Sequence, residues 1–316
     1  MHQLIGWGDM LVFLNYGEQF LKMRKLTHQP FTRKGTESYR ELQIRLTHVL
    51  LHDLLGSPQN YAKHVQRFTT AMMMEIAYGH RVVSDDDTYL RLVDEAIRVI
   101  LDSGNIGLSI VDVFPFSGGE TMGASIVLVI FAMLHHPEAQ AKAQKEIDRV
   151  IGTSRLPDFS DRESLPMVEC VIQESLRWNQ PAPLAVPHCT RDDDVYNGMF
   201  IPKGSLIFPN AVFMCLDERI YSNPKEFWPE RYLPKPQGNG EPHSGSTYGF
   251  GRRTCPGKYL ADAGLYEKTI FPNWSIERLT SDCVIDRKTP VAGLGNDLGE
   301  DGAADARPDP TRIHWK

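Results

Sequence analysis

The chain has 316 residues, long enough for one large domain or two ordinary ones. With 41% hydrophobic and 23% charged residues, its balance is that of a globular protein, which excludes a wholly disordered, fibrous or collagen-like chain. Forty acidic residues against 34 basic ones give a formal charge of −6, so no basic footprint for nucleic acid is present.

Five cysteines (Cys170, Cys189, Cys215, Cys255 and Cys283) are thinly spread and form no CxxC pair. Zinc ribbons and thioredoxin-like motifs are therefore not expected, and a reduced environment with one special thiol is. Met1–Met10 lacks a basic region followed by a long apolar run, so no signal peptide is read there. The longest apolar stretch, Ile126–Leu134, is nine residues, whereas a membrane span needs about 20. As written, the chain is expected to be soluble or to sit at a cytoplasmic membrane face without its own anchor.

Residues 1 to about 115 read as mostly helical. Tyr61–Tyr78 and Thr88–Leu101 place apolar residues at spacings of three and four, as in Leu90, Val93, Ile97, Ile100 and Leu101. Met72-Met73-Met74 reads as core filling, and Ser84–Asp87 as a solvated turn. Val111–Phe116 reads as extended, and Pro115 blocks a continuing helix. Helices are then expected at Glu120–Leu134, at Glu138–Ile151 with Pro137 at its first position, and at Leu165–Trp178. From Tyr196 to Phe208 two short β runs with turn residues between them give a hairpin-like signal. A proline-punctuated irregular stretch, Ser222–Pro242, leads to the glycine-rich loop Tyr248–Gly257 and a helix at Lys258–Lys268. Four glycines and five acidic residues in Val291–Lys316, with almost no large apolar residues, read as a disordered tail. The fold class expected is mainly α with small β elements.

The sharpest feature is Tyr248-Gly-Phe-Gly-Arg-Arg-Thr-Cys255-Pro-Gly257. Gly249 and Gly251 permit a tight turn with positive φ. Cys255 then stands at the start of a helix, with Pro256 suited to its first turn. Orphan backbone N–H groups, the positive helix end, Arg252 and Arg253 would each lower its pKa and favour thiolate.

This loop resembles the haem-binding signature of the cytochrome P450 family, Phe-x-x-Gly-x-Arg-x-Cys-x-Gly, departing only at Tyr248. The resemblance implies haem b with Cys255 as the axial thiolate on iron, which favours O–O cleavage, and Tyr248, Gly249 and Gly257 as parts of the cradle. Glu174-Ser-Leu-Arg177 resembles the Glu-x-x-Arg of the family's K helix, and Phe227-Trp-Pro-Glu-Arg231-Tyr232 its Pro-Glu-Arg-Phe segment. Glu174, Arg177 and Arg231 are then structural, a buried set that is severe to break.

Ser117-Gly-Gly-Glu120-Thr121-Met122 resembles the family's I-helix motif, which implies Glu120 as acid and Thr121 as alcohol in a proton relay. Read without the resemblance, Ser117 and Glu120 make a capping box at a helix N-terminus. Phe20-Leu-Lys-Met-Arg24 resembles the Trp-x-x-x-Arg of helix C, with Phe20 replacing Trp and Arg24 offering a fork to a haem propionate. Val186-Pro187-His188 resembles the segment whose basic residue also meets a propionate, and Arg253 is the third cation.

The wording of Ala141–Asp148, Arg177–Leu184 and Tyr248–Arg253 resembles fungal members, near the group related to the O-methylsterigmatocystin oxidoreductases. The resemblance implies a haem-thiolate monooxygenase that puts one atom of O2 into a small lipophilic substrate. It also implies an NADPH-cytochrome P450 reductase as electron donor and, for a full-length member, the endoplasmic reticulum membrane.

The resemblance covers roughly residues 5–115 and 117–266, and the fold it implies is incomplete. The first β region and anchor are missing. At 116/117 the chain jumps from F-helix-like sequence into the I helix, and after about 266 it diverges. The expected organisation is one incomplete haem domain over 1–286 and an acidic tail over 287–316. Two readings compete with the enzyme: a non-catalytic remnant without a competent pocket, and a haem- or ligand-binding module without turnover.

Overall fold

The computed structural model describes residues 14–84, 86–93, 117–152 and 155–270, together with Leu11 and Glu95. The side chains of 117–120 and of Lys268 are not among the described features. The 116/117 junction, the Thr88–Leu101 helix beyond residue 93 apart from Glu95, Cys283 and the 287–316 tail lie outside the described residues.

The main helices are α1 (Glu18–His28), α2 (Arg40–Gly56), α3 (Tyr61–Tyr78), α4 (Ser117–His135), α5 (Pro137–Val150), α6 (Pro166–Trp178) and α8 (Lys258–Ile270), with a short α7 at Ala211–Cys215. α4 is the centre. Its Met122, Ile126, Val129, Ile130 and Met133 recur at helical spacing and are all buried. α3 packs along it, and Gly123 admits the close crossing: a Cβ there would lie 3.4 Å from Thr69 Oγ1 and 3.7 Å from Val65 Cγ1. Met72 and Met74 fill the core as expected.

Helix ends follow local chemistry. α3 stops at Gly79, φ 66°, whose N–H donates to Glu75 while that of His80 reaches Met74 O, a Schellman-type cap. Pro137 opens α5, which buries Ala139, Ala143 and Ile147 on one face. α6 is buried nearly all round, Glu174 and Arg177 included, because α4, α5 and α8 pack against it. α4 is already helical at Ser117, whereas an N-capping Ser117 would stand outside the helix; the capping-box reading is not supported.

The β elements differ from the expected hairpin. Met199–Ile201 and Leu206–Ile207, both inside Tyr196–Phe208, do not pair with each other. Asp194–Tyr196 (β2) pairs antiparallel with Met199–Ile201 (β3), and Leu206–Ile207 (β4) returns to His188–Cys189 (β1). Asn197 and Gly198 have φ of 50° and 79°, the two positive values that a two-residue primed turn requires. That turn fixes the β2–β3 register and leaves β4 free for a more distant partner. Among the described residues, no single helix is long and apolar enough to cross a membrane.

Candidate haem-thiolate site

The glycine-rich loop folds as a tight turn. Gly249 and Gly251 have φ of 76° and 55°, where a Cβ is strained. The Cys255 N–H donates to Tyr248 O at 2.8 Å and closes the loop. Three residues on, α8 begins. The Cys255 Sγ lies 3.8 Å from where a Cβ on Gly257 would stand, and Gly257 N–H donates to it.

The thiol's titration differs from expectation. Enclosure by protein pushes its pKa up, opposed by the Gly257 N–H and the positive charges of Arg24 and Lys258. Arg252 plays no part, because its guanidinium turns away to lie 5.5 Å over the Tyr16 ring. Cys255 is nonetheless exposed, unlike the sealed Cys170, whose pKa burial pushes up to about 12. Thiolate at Cys255 therefore needs a further positive charge, which a metal supplies.

Two arginines and a histidine stand around this loop. Arg24 on α1 donates through Nη2 to Thr254 O. Arg253 donates through Nη2 to Leu14 O at 2.7 Å and lies 3.9 Å over the buried Phe20 ring. Burial and then Arg24 hold Arg253 below its usual pKa, and burial and then Arg253 do the same to His188. Among the described residues, none of Arg24, Arg253 and His188 has a carboxylate partner. A clustered positive charge neutralised only by backbone carbonyls fits a ligand bearing carboxylates. With an exposed thiol at its centre, the donor set suits haem.

The predicted residues are therefore largely brought together: Cys255, Tyr248, Gly249, Gly257, Arg253, Arg24, Phe20 and His188. Thr121 lies on α4 one residue before Met122, whose Sδ would stand 3.2 Å from a Cβ on Gly264 of α8. α4 and the helix that follows Cys255 thus cross beside it. The Glu120 side chain is outside the described features. Phe20 has no N–H to offer and instead supports Arg253 by a cation–π contact.

The structural set is larger than predicted. Glu174, Arg177 and Arg231 are each 0–1% exposed. Arg177 donates to both Glu174 oxygens at 2.8 Å and to the carbonyls of Cys215, Pro224 and Glu226. Arg231 reaches Glu174 at 3.1 Å and Glu241 at 2.7 Å. Trp228 N–H and Tyr232 OH also donate to Glu174. Glu241 and Tyr232 were missed. Two arginines alone hinted at a second carboxylate, since buried charges are paired, but nothing in the sequence singled out Glu241.

The Cytochrome P450 family profile matches residues 102–269. Cytochrome P450 monooxygenase 136 of Postia placenta is 31% identical over 340 aligned positions, which take in 81% of this chain and 64% of that protein. Cytochrome P450 monooxygenase claT of Ampulloclitocybe clavipes is 30% identical, covering 82% of this chain and 68% of itself. A zebra fish cytochrome P450 structure with progesterone superposes with a TM-score of 0.74 at 20% identity, over 86% of this chain and 79% of that one. The chain belongs to the cytochrome P450 family, and membership implies haem iron held by a cysteine thiolate. The fold is mainly helical with small strands, as in its structural neighbours.

The chain spans 64% of the first of these relatives and 68% of the second. In the first, 340 aligned positions against 81% of 316 residues leave about 84 positions of the relative opposite no residue here.

Proposed function

We propose that this chain is the haem-carrying part of a fungal monooxygenase that inserts one oxygen atom of O2 into a small lipophilic substrate, using electrons from an NADPH-dependent reductase. The observation that carries the reading is the carboxylate-free cluster of Arg24, Arg253 and His188 around the Cys255 loop.

In this reading Cys255 Sγ is the iron ligand, and Gly257 N–H steadies its negative charge. Arg24 and Arg253 hold the haem carboxylates, with Phe20 fixing the second guanidinium and His188 adding a donor. Thr121 Oγ1 passes a proton onward and Glu120 supplies it. When bound, the group supplies O2 binding and O–O cleavage, driven by electron density from the thiolate. The longer protein would work at the endoplasmic reticulum membrane beside its reductase.

The test is the absorption spectrum of the reduced, carbon-monoxide-bound protein beside Cys255→Ala. A strongly red-shifted Soret band that vanishes in the variant is expected. Soluble, folded protein without it would refute the proposal. A second reading, haem binding without turnover, is favoured by the roughly 84 unmatched positions. It predicts the red-shifted band but no reductase-driven oxygenation of any lipophilic substrate tried.

A further inference from the structure

Among the described residues, β2 and β3 form a sheet of two strands only, with an open edge on each side. Such a ribbon is marginal in water and gains from further strands. Val195, Tyr196, Met199 and Phe200 are 60–64% exposed, a contiguous apolar surface of the kind that marks an interaction site.

The two edges differ in charge. β2 begins at Asp194 and follows Asp192 and Asp193, and charge is what keeps a sheet edge from pairing. β3, Met199-Phe200-Ile201, carries none. It is bounded by the Asn197-Gly198 turn on one side and on the other by Pro202, which has no N–H to give. Three residues are therefore open to a new strand, and Phe200 is their centre.

Backbone alternation decides what Phe200 presents. Tyr196 faces Met199 across the two-residue turn, where the turn's own i to i+3 bond falls. Bonded and non-bonded pairs alternate along antiparallel strands, so the next pair, Val195 and Phe200, is of the non-bonded kind. The N–H and C=O of Phe200 then point away from β2, toward the open edge. Two copies related by a two-fold axis beside Phe200 would exchange both bonds between these groups, and Met199 of each would face Ile201 of the other. The stripe Val195–Phe200–Phe200–Val195 would be wholly apolar, with no like charges opposed. At about 100 Å² for each exposed side chain, given 150–250 Å² for a whole aromatic, the contact buries roughly 800–1,000 Å² in total, in the range of weak and reversible association. The three aspartates at the base of the ribbon disfavour an anionic lipid surface instead.

We infer that this chain associates with a second copy of itself through β3, forming a four-stranded sheet whose two-fold axis passes beside Phe200. The inference is independent of haem binding.

The test is analytical ultracentrifugation of the full chain from about 10 µM to about 1 mM, the range that a contact of this size calls for, with Phe200→Lys, Phe200→Asp and their mixture. The unaltered chain should shift from monomer toward dimer as concentration rises. A residue beside the two-fold meets its own copy, so each variant alone opposes like charges and should weaken association at least tenfold. The equimolar mixture opposes unlike charges and should regain it. If either variant does not fold by circular dichroism, hydrogen exchange in the unaltered chain carries the test: amides of 199–201 should slow several-fold between the lowest and highest concentrations. A chain that stays monomeric would overturn the inference; if it then binds phosphatidylcholine vesicles, and Phe200→Lys abolishes that binding, the surface belongs to a membrane. A dimer that neither variant weakens, or that the mixture does not regain, would overturn it as well.

Discussion

Changing Glu174 to Gln removes one charge and almost no volume from the most enclosed polar set in the molecule. Glu174 Oε1 accepts from Arg177 Nη2, Arg231 Nε and the Trp228 amide, and Oε2 from Arg177 Nε and Tyr232 OH. Whichever way the new amide turns, its NH2 faces at least two donors. Arg231 would keep Glu241, and Arg177 would be left with the carbonyls of Cys215, Pro224 and Glu226. Breaking a buried ion pair by removing one partner costs about 3–5 kcal/mol, a large share of the roughly 5–15 kcal/mol that holds a domain together. At roughly 2–4 °C per kcal/mol for a domain of this size, the midpoint should fall by about 6–20 °C. Equilibrium urea unfolding followed by circular dichroism gives the free energy directly. A loss under about 1 kcal/mol, the range of exposed pairs, would refute the view that these groups act as one sealed set.

Gly238→Ala should be at least as damaging, because a Cβ there would lie 1.8 Å from Glu230 O and 2.6 Å from Leu233 O, both rigid backbone; loss of soluble protein or of cooperative unfolding checks it. Arg253→Ala should weaken haem retention, measured by transfer of haem to apomyoglobin, while leaving the red-shifted band of whatever haem stays bound. His136 stacks 4.4 Å from Phe227 and meets Trp178 edge-on at 5.2 Å, and burial holds its pKa below 6.5. A depressed folded pKa means that the unfolded chain takes up the proton first. Stability is then full above about pH 6.5 and falls as pH drops from there toward the folded pKa, and His136→Phe should flatten that slope in urea midpoints measured from pH 7.5 to 5.5.

What could be read in the sequence depended on distance along the chain. The Cys255 loop was legible because its glycines, arginine and cysteine lie within ten residues and each has a local reason to be there. Helix ends at Pro137 and Trp178 were legible for the same cause. The β1–β4 pairing was not: two residues at His188 carry no periodicity, and their partner lies beyond an intervening hairpin. Asn197-Gly198 did carry a turn signal, and it joins β2 to β3, not β3 to β4. Glu241 and Tyr232 enter the Glu174 set from 58 to 67 residues away in sequence, where no spacing rule reaches. The thiol's electrostatics were misread because enclosure, which opposes ionisation, is a property of the packed molecule and not of the loop.

Arg24 meets Thr254 across 230 residues of chain, and Arg253 meets Leu14 across 239. A ribosome adding about 5–20 residues per second needs roughly 12–46 s to make the intervening stretch. Throughout that interval α1 is synthesised but without its mate, and Leu21, Met23 and Leu26, exposed even in the finished fold, stand beside a Phe20 that has nothing yet to support. The cysteine loop is therefore the late partner, and α1 waits for it through the synthesis of all the residues between them.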